Sequence, residues 1–153
     1  MPALLLDSNA LVLLMVGLLD RAQLGRHRRV RAFDTVDFSH VQNIARRFER
    51  HVSVPTVLSE ASNLLQSDSG GIVPNAGRTL ATYIDALEEI YEPSKSLVVR
   101  PQFLKLGLAD AAIADAAVRH DLTVVTTDHA LHGALTALRV NAVNLFHLRT
   151  PPR

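Results

Sequence analysis

Four carboxylates occupy positions where an α/β protein commonly places its chemistry. Asp7 directly follows the apolar stretch "ALLL", and Asp128 follows "LTVV" and two threonines. Both stretches are typical of buried strands, so both acids are expected at strand carboxyl ends, where ligands bind in open parallel sheets. Glu60 is expected about one and a half turns into a helix that begins near Pro55, and Asp110 in the first turn of an alanine-rich helix. The four acids are therefore candidates for one site.

Each acid also has a purely structural interpretation. Asp7 and Asp128 are suited to capping helix N-termini, and Asp110 could complement a helix dipole. Glu60 could be an ordinary surface residue. Asp115 offers a comparison within one helix, because five residues correspond to a rotation of about 500° and leave it about 140° away from Asp110. We expect Asp115 to be solvated and outside the site.

Acids brought together in this way need a partner of opposite charge. Bare carboxylates would repel one another and would not all stay ionised. Mg²⁺ and Mn²⁺ prefer oxygen ligands, and such an ion can activate water and neutralise charge on a phosphodiester. Two arginine-rich stretches, "RAQLGRHRRVR" and "ARRFERH", could attract phosphates, although solvated helix or loop faces would explain them as well. The candidate contact residues for RNA or a partner are Arg26, Arg28, Arg29, Arg46 and Arg47.

The elements that must position these residues alternate along the chain. The sequence predicts strands at 3–6, 51–54, 122–127 and 140–146, and helices at 9–19, 39–50, 55–66, 75–90, 108–120 and 128–138. Residues 20–38 are predicted to be a loop or an excursion from the core, and "SLVVRPQFLKLG" is ambiguous between strand and helix. Apolar strands separated by helices favour an α/β domain with a mainly parallel sheet and helices on both faces.

Length and composition set further bounds. A chain of 153 residues is expected to form one domain, over residues 1–150, with 151–153 as a short tail. The chain has no cysteine, which excludes disulfides and thiolate metal sites and is compatible with a reducing cytosol. The longest charge-free stretch near the start, residues 8–19, is too short to span a bilayer. We therefore expect a cytoplasmic protein without a membrane partner.

Four motifs together resemble those of the PIN-domain nucleases, including the VapC-type toxins of bacterial toxin–antitoxin pairs. These motifs are "LLLDSN", "VPTVLSEASNLL", "LGLADAAIADAA" and "LTVVTTDHAL", and they span residues 4–131. The resemblance implies a three-layer PIN-like domain that cleaves RNA with Mg²⁺ or Mn²⁺ held by Asp7, Glu60, Asp110 and Asp128. It also implies supporting roles for Ser8, Asn9 and Thr126, an antitoxin as partner, and a homodimer.

Two other functions are considered. A catalytically silent PIN-like module could bind RNA or a protein, although all four acids are retained. A receiver-like phospho-acceptor domain would need paired acids near the first strand and a lysine after a late strand, and neither "LLLDSN" nor "TTDHAL" supplies them. His129 and His132 lie close enough in sequence to Asp128 to support it, but we expect them to be ordinary helix residues.

Overall fold

The computed structural model describes residues 2–21, 32–66, 71 and 74–149. In chain order the elements are β1 (Ala3–Leu6), α1 (Ser8–Leu19), α2 (Thr35–Arg46), β2 (Val52–Ser53), α3 (Pro55–Leu64), α4 (Pro74–Ala86), β3 (Glu88–Glu89), α5 (Ser94–Leu97), α6 (Pro101–Leu106), α7 (Leu108–Arg119), β4 (Leu122–Thr126), α8 (His129–Ala137), β5 (Asn141–Asn144) and a 3₁₀ helix (Leu145–Leu148). Across this part of the chain, every helix is too short or too polar to cross a membrane.

The strands pair in parallel and their order reverses near the middle. β4 lies between β1 and β5, and β2 pairs with β3. A parallel bridge between Leu4 and His51 places β2 beside β1, so the described strands have the order β3-β2-β1-β4-β5. The chain builds outward from β1 to β3 on one side and then crosses to β4 on the other. In such sheets the crevice beyond the carboxyl ends at the reversal, here between β1 and β4, is the usual ligand site.

The helices form two groups around this sheet. α1 contacts α2, α3 and α4, whereas α7 contacts α5, α6 and α8, and the two groups meet where α3 contacts α7. Right-handed crossovers between parallel strands place these groups on opposite faces, because the crossing direction reverses after β3. The predicted α/β architecture, with a parallel sheet flanked by helices, is therefore confirmed.

The apolar segment near the start forms the centre of the core. Every residue of β1 is buried, and α1 is buried continuously from Ala10 to Gly17. A helix that is apolar on all sides belongs in the interior. Gly17 permits its close packing on α2, because a Cβ built there would lie 2.1 Å from a ring carbon of Phe38.

The second helix begins earlier than the sequence predicted. α2 starts at Thr35 rather than at Ser39 and ends at Arg46 rather than at residue 50. Asp34 caps it by accepting the Asp37 N–H at 2.9 Å, and the Asp37 carboxylate accepts the Asp34 N–H at 3.0 Å. The prediction was wrong because this reciprocal cap lies in a stretch that was interpreted as irregular. The rest of that stretch, residues 22–31, lies outside the described residues.

A short strand was missed after the fourth helix. The predicted helix over 75–90 ends at Ala86, and Glu88–Glu89 pairs with β2. Two glutamates carry no apolar strand signal, so this pairing depends on long-range contacts. The Glu88 N–H donates to the His51 carbonyl at 2.9 Å, and Arg50 forms a 2.7 Å salt bridge with Glu88. The ambiguous stretch that follows resolves into α5 and α6, with Pro101 at the start of α6.

Candidate functional site

All four predicted acids line one cavity at the carboxyl edge of the sheet. Its volume is about 260 Å³. Asp7 comes from the β1–α1 junction, Asp128 from the β4–α8 junction, Glu60 from α3 and Asp110 from α7. The cavity therefore lies at the reversal of strand order, where the register pairs Leu6 with Val125. Ser8 and Asn9 also line it.

Asp7 is a helix cap as well as a cavity residue. It is 6% exposed, and its Oδ1 accepts the Ala10 N–H at 2.8 Å. Its Oδ2 accepts the Thr126 hydroxyl at 2.5 Å and the Thr127 N–H at 3.0 Å. Burial raises the pKa of Asp7; the three hydrogen bonds oppose that rise, and the neighbouring Asp128 charge adds to it. Asp7 therefore both caps α1 and lines the cavity.

Thr126 links the two acids that follow β1 and β4. Its buried hydroxyl donates to Asp7 and accepts the Asp128 N–H at 2.9 Å. The Asp128 Oδ1 in turn accepts the Leu131 N–H at 2.8 Å and caps α8. One hydroxyl therefore sets the position of Asp7 relative to Asp128.

Glu60 is positioned by a hydrogen bond from Ser8, across the gap between α1 and α3. The Ser8 hydroxyl, in the first turn of α1, donates to Glu60 Oε1 at 2.8 Å. Glu60 and Asn9 are exposed, and Ser8 is half-buried. The polar triplet Asp7-Ser8-Asn9 thus contacts both sides of the site from one helix start.

The pKa of Asp110 is affected by its burial and by the other acids of the cavity. Its carboxylate is half-buried and accepts no hydrogen bond from another described residue. Burial raises the pKa of Asp110 to about 6, and the charges of its three acidic neighbours, Asp128, Asp7 and Glu60, contribute to the rise. The acids are therefore close enough to interact electrostatically.

The walls of the cavity are partly apolar, which the sequence analysis did not predict. Val57 lies three residues before Glu60 on α3, and Ile113 lies three residues after Asp110 on α7. Leu106 and Leu108 complete this wall. The spacing of three residues on a helix was the available signal, since it places side chains on a common face. These apolar side chains contribute to the burial that raises the pKa of Asp7 and of Asp110.

The donor set fits a hard divalent cation. The cavity offers carboxylate, hydroxyl and amide oxygens, and its described lining includes no lysine, arginine or histidine. Within residues 2–21, 32–66, 71 and 74–149, no three acidic or histidine side chains are close enough as placed to coordinate an ion. This arrangement suits Mg²⁺, which commonly binds one or two carboxylates directly and retains several waters. Ser8, Asn9 and the remaining acids would then contact the ion through water.

Asp115 lies outside the acidic cavity, as predicted, but it is not solvated. Its side chain is 8% exposed and lies 3.2 Å from the Arg100 guanidinium. The Arg119 guanidinium approaches its other oxygen at 3.7 Å. The prediction of a solvated residue was wrong, because Arg100 from the start of α6 and Arg119 one turn further along α7 form salt bridges with this buried carboxylate.

The two arginine clusters have different relations to the site. Arg47, at the end of α2, lines a separate cavity with Pro2, Thr123 and Asn141, which lie at or beside strand amino ends. Any RNA or partner contact by Arg46 or Arg47 would therefore be at the edge opposite the acids. The candidates Arg26, Arg28 and Arg29 lie outside the described residues.

Comparisons with known proteins do not assign the chain to a family. No family model matches it, and no curated protein sequence matches it significantly. The PIN-domain interpretation therefore continues to rest on the four motifs, and their acids lie together at the reversal of strand order.

Proposed function

We propose that the chain is a PIN-type endoribonuclease that hydrolyses RNA phosphodiesters with Mg²⁺ or Mn²⁺. The observation that carries the proposal is the convergence of four carboxylates, from four elements, on one cavity at the reversal of strand order. Phosphodiester chemistry follows from the need of clustered acids for a dication. RNA as the substrate follows from the resemblance of the motifs to PIN-domain nucleases.

The acids divide into two pairs by how firmly they are held. Asp7 and Asp128 are fixed by hydrogen bonds to backbone N–H groups and through Thr126. Asp110 on α7 accepts no hydrogen bond from a described residue, and Glu60 on α3 accepts only that of the Ser8 hydroxyl, so these two side chains can adjust more readily to an ion. When bound, the ion would supply Lewis-acid stabilisation of the phosphate and activation of water. Asp110 gains most from neutralisation of its neighbours, because their charges contribute to its raised pKa.

The resemblance extends the proposal to partners and location. A VapC-type toxin would be held inactive by an antitoxin, would form a homodimer and would act in the cytoplasm. The receiver-like alternative is disfavoured, because that fold has the strand order 2-1-3-4-5 and this chain has β3-β2-β1-β4-β5 among its described strands.

The test is cleavage of RNA by the purified protein with Mg²⁺, Mn²⁺ or EDTA. We expect activity only with a divalent metal and a loss of more than about 100-fold in Asp110→Asn and Asp128→Asn. Asp85→Asn is the matched control, because Asp85 is an exposed aspartate near the end of α4 and outside the cavity. Undiminished cleavage in both acid variants would overturn the proposal. Tight RNA binding without turnover at any divalent metal would support the silent binding module instead.

A further inference from the structure

Two histidines from separate elements meet outside the lining of the acidic cavity. His132 lies on α8 and His147 on the 3₁₀ helix after β5. Their ring centroids are 5.0 Å apart, and the ring planes are nearly perpendicular at 85°. From the sequence His132 is expected to be an ordinary helix residue, and nothing in the sequence pointed to its proximity to His147.

The separation of the rings matches that of two imidazoles on one metal ion. Zinc binds histidine nitrogens at about 2.0 Å in tetrahedral sites, which places the centroids of two such rings about 5 Å apart. The observed centroid separation of 5.0 Å is therefore compatible with shared coordination, once the rings turn from their perpendicular contact. Rotation about the side-chain torsions would suffice to direct one nitrogen of each ring at a common point.

The ring nitrogens of this pair have no other described partner. Neither ring accepts or donates a hydrogen bond to another described residue. His51 shows the contrast, because its Nδ1 lies 2.9 Å from the Tyr83 hydroxyl and its Nε2 lies 3.0 Å from the Ala45 carbonyl. His51 is a satisfied structural histidine, whereas His132 and His147 retain free ligand atoms.

The backbone that carries the pair is well supported. Asp128 caps α8, and the buried Asn144 side chain caps the 3₁₀ helix by accepting the Phe146 N–H at 3.0 Å.

We propose that His132 and His147 form a second metal site, which takes a borderline divalent transition-metal ion such as Zn²⁺. Imidazole nitrogens suit Zn²⁺, whereas carboxylate oxygens suit Mg²⁺ and Mn²⁺, so the pair differs in chemistry from the acidic cavity. Among the described residues no third acid or histidine joins the pair as placed, so water would fill the remaining coordination positions. The proposal does not depend on the nuclease activity.

The test is titration of the full chain with Co²⁺, followed by visible absorption, and with Zn²⁺ in competition with a chromophoric chelator. Excess Mg²⁺ is present throughout to occupy the acidic cavity. We expect one equivalent of Co²⁺ or Zn²⁺ per chain, retained in Asp7→Asn and weakened at least 10-fold in His132→Ala and in His147→Ala. His120→Ala is the matched control, since His120 is exposed at the end of α7 and should bind metal as the parent does.

The results of these titrations distinguish metal binding at the histidine pair from metal binding in the acidic cavity. Unchanged affinity in both His132→Ala and His147→Ala would overturn the proposal, as would loss of binding in Asp7→Asn alone. Circular dichroism establishes that each variant is folded, and ¹⁵N shifts of the imidazole nitrogens provide a second measurement on the parent protein. Zn²⁺ should move the ring signals of two histidines and leave those of the other five unchanged, since the chain has seven.

Discussion

The two oxygens of the Asp7 carboxylate have different tasks. Oδ1 satisfies a backbone N–H at the start of α1, while Oδ2 accepts the Thr126 hydroxyl and the Thr127 N–H. The same carboxylate therefore orders the first helix and stands at the cavity wall. Asp128 repeats this pattern at the start of α8. A residue at the junction of a buried strand and a buried helix can combine a structural and a chemical role because both need a fixed carboxylate.

Removal of the Thr126 hydroxyl should damage both stability and activity. Thr126→Val keeps the side-chain shape but leaves the Asp128 N–H without its acceptor and Asp7 without one donor. We expect a loss of about 1–3 kcal/mol in the free energy of unfolding, measured with urea. Metal-dependent cleavage should fall about 10- to 100-fold, because the positions of two acids depend on this hydroxyl. Thr126→Ser should restore most of both; a serine variant as impaired as the valine variant would contradict this role.

At the scale of elements, close helix contacts and helix starts position the site. α1 passes α2 closely enough for Gly17 to meet the Phe38 ring, and this contact holds the two helices together. The end of α1 that faces the cavity carries Asp7, Ser8 and Asn9. Packing at one end of the helix therefore supports chemistry at the other.

Gly17→Ala should destabilise the protein, although alanine normally favours helices. The added methyl group would overlap the buried Phe38 ring, so we expect a loss of about 1–3 kcal/mol in the free energy of unfolding. Gly133→Ala on α8 is the control, because no atom lies within 4 Å of the position of its Cβ. That variant should gain up to about 1 kcal/mol from helix propensity. Equal effects of the two substitutions in thermal or urea unfolding would show that the α1–α2 contact is not tight.

At the scale of the whole molecule, the strand order brings the acids together. Asp7 and Asp128 are distant in sequence, but parallel pairing of β1 with β4 makes their strand ends neighbours. α3 and α7 approach the same edge and add Glu60 and Asp110. The fold thus places like charges near one another, and the raised pKa of Asp110 reflects burial first and the charges of these acids second.

Asp110→Asn should stabilise the metal-free protein at neutral pH. The folded-state pKa of about 6 exceeds the unfolded value of 3.8, so the folded protein binds more protons between these values and loses stability as pH rises through them. We expect the variant to exceed the parent by on the order of 1 kcal/mol at pH 7, after allowance for partial exposure, and to match it near pH 4. Urea unfolding at several pH values in EDTA measures this. A difference independent of pH would exclude repulsion as its cause, and Asp85→Asn should show no pH-dependent difference.

Much of the architecture was readable from local patterns. Continuous apolar runs identified β1 and β4, and capping residues identified the start of α1. The start of α2 and the strand β3 were missed. The first depends on the reciprocal cap between Asp34 and Asp37, and the second on pairing with β2 across a long stretch of chain.

For the site, the sequence by itself placed Asp7 and Asp128 at strand ends, Asp110 in the first turn of a helix and Glu60 farther along another helix, because hydrophobic periodicity and capping are local properties. Only the tertiary structure decided that they share one cavity, that Thr126 joins two of them, that Asp115 is covered by arginines and that Arg47 lies at the opposite edge. These facts depend on strand order and helix packing, and both are set by contacts between residues far apart in the chain. The pairing of His132 with His147 belongs to the same class, since the two residues lie on α8 and the 3₁₀ helix, with β5 between them in the chain.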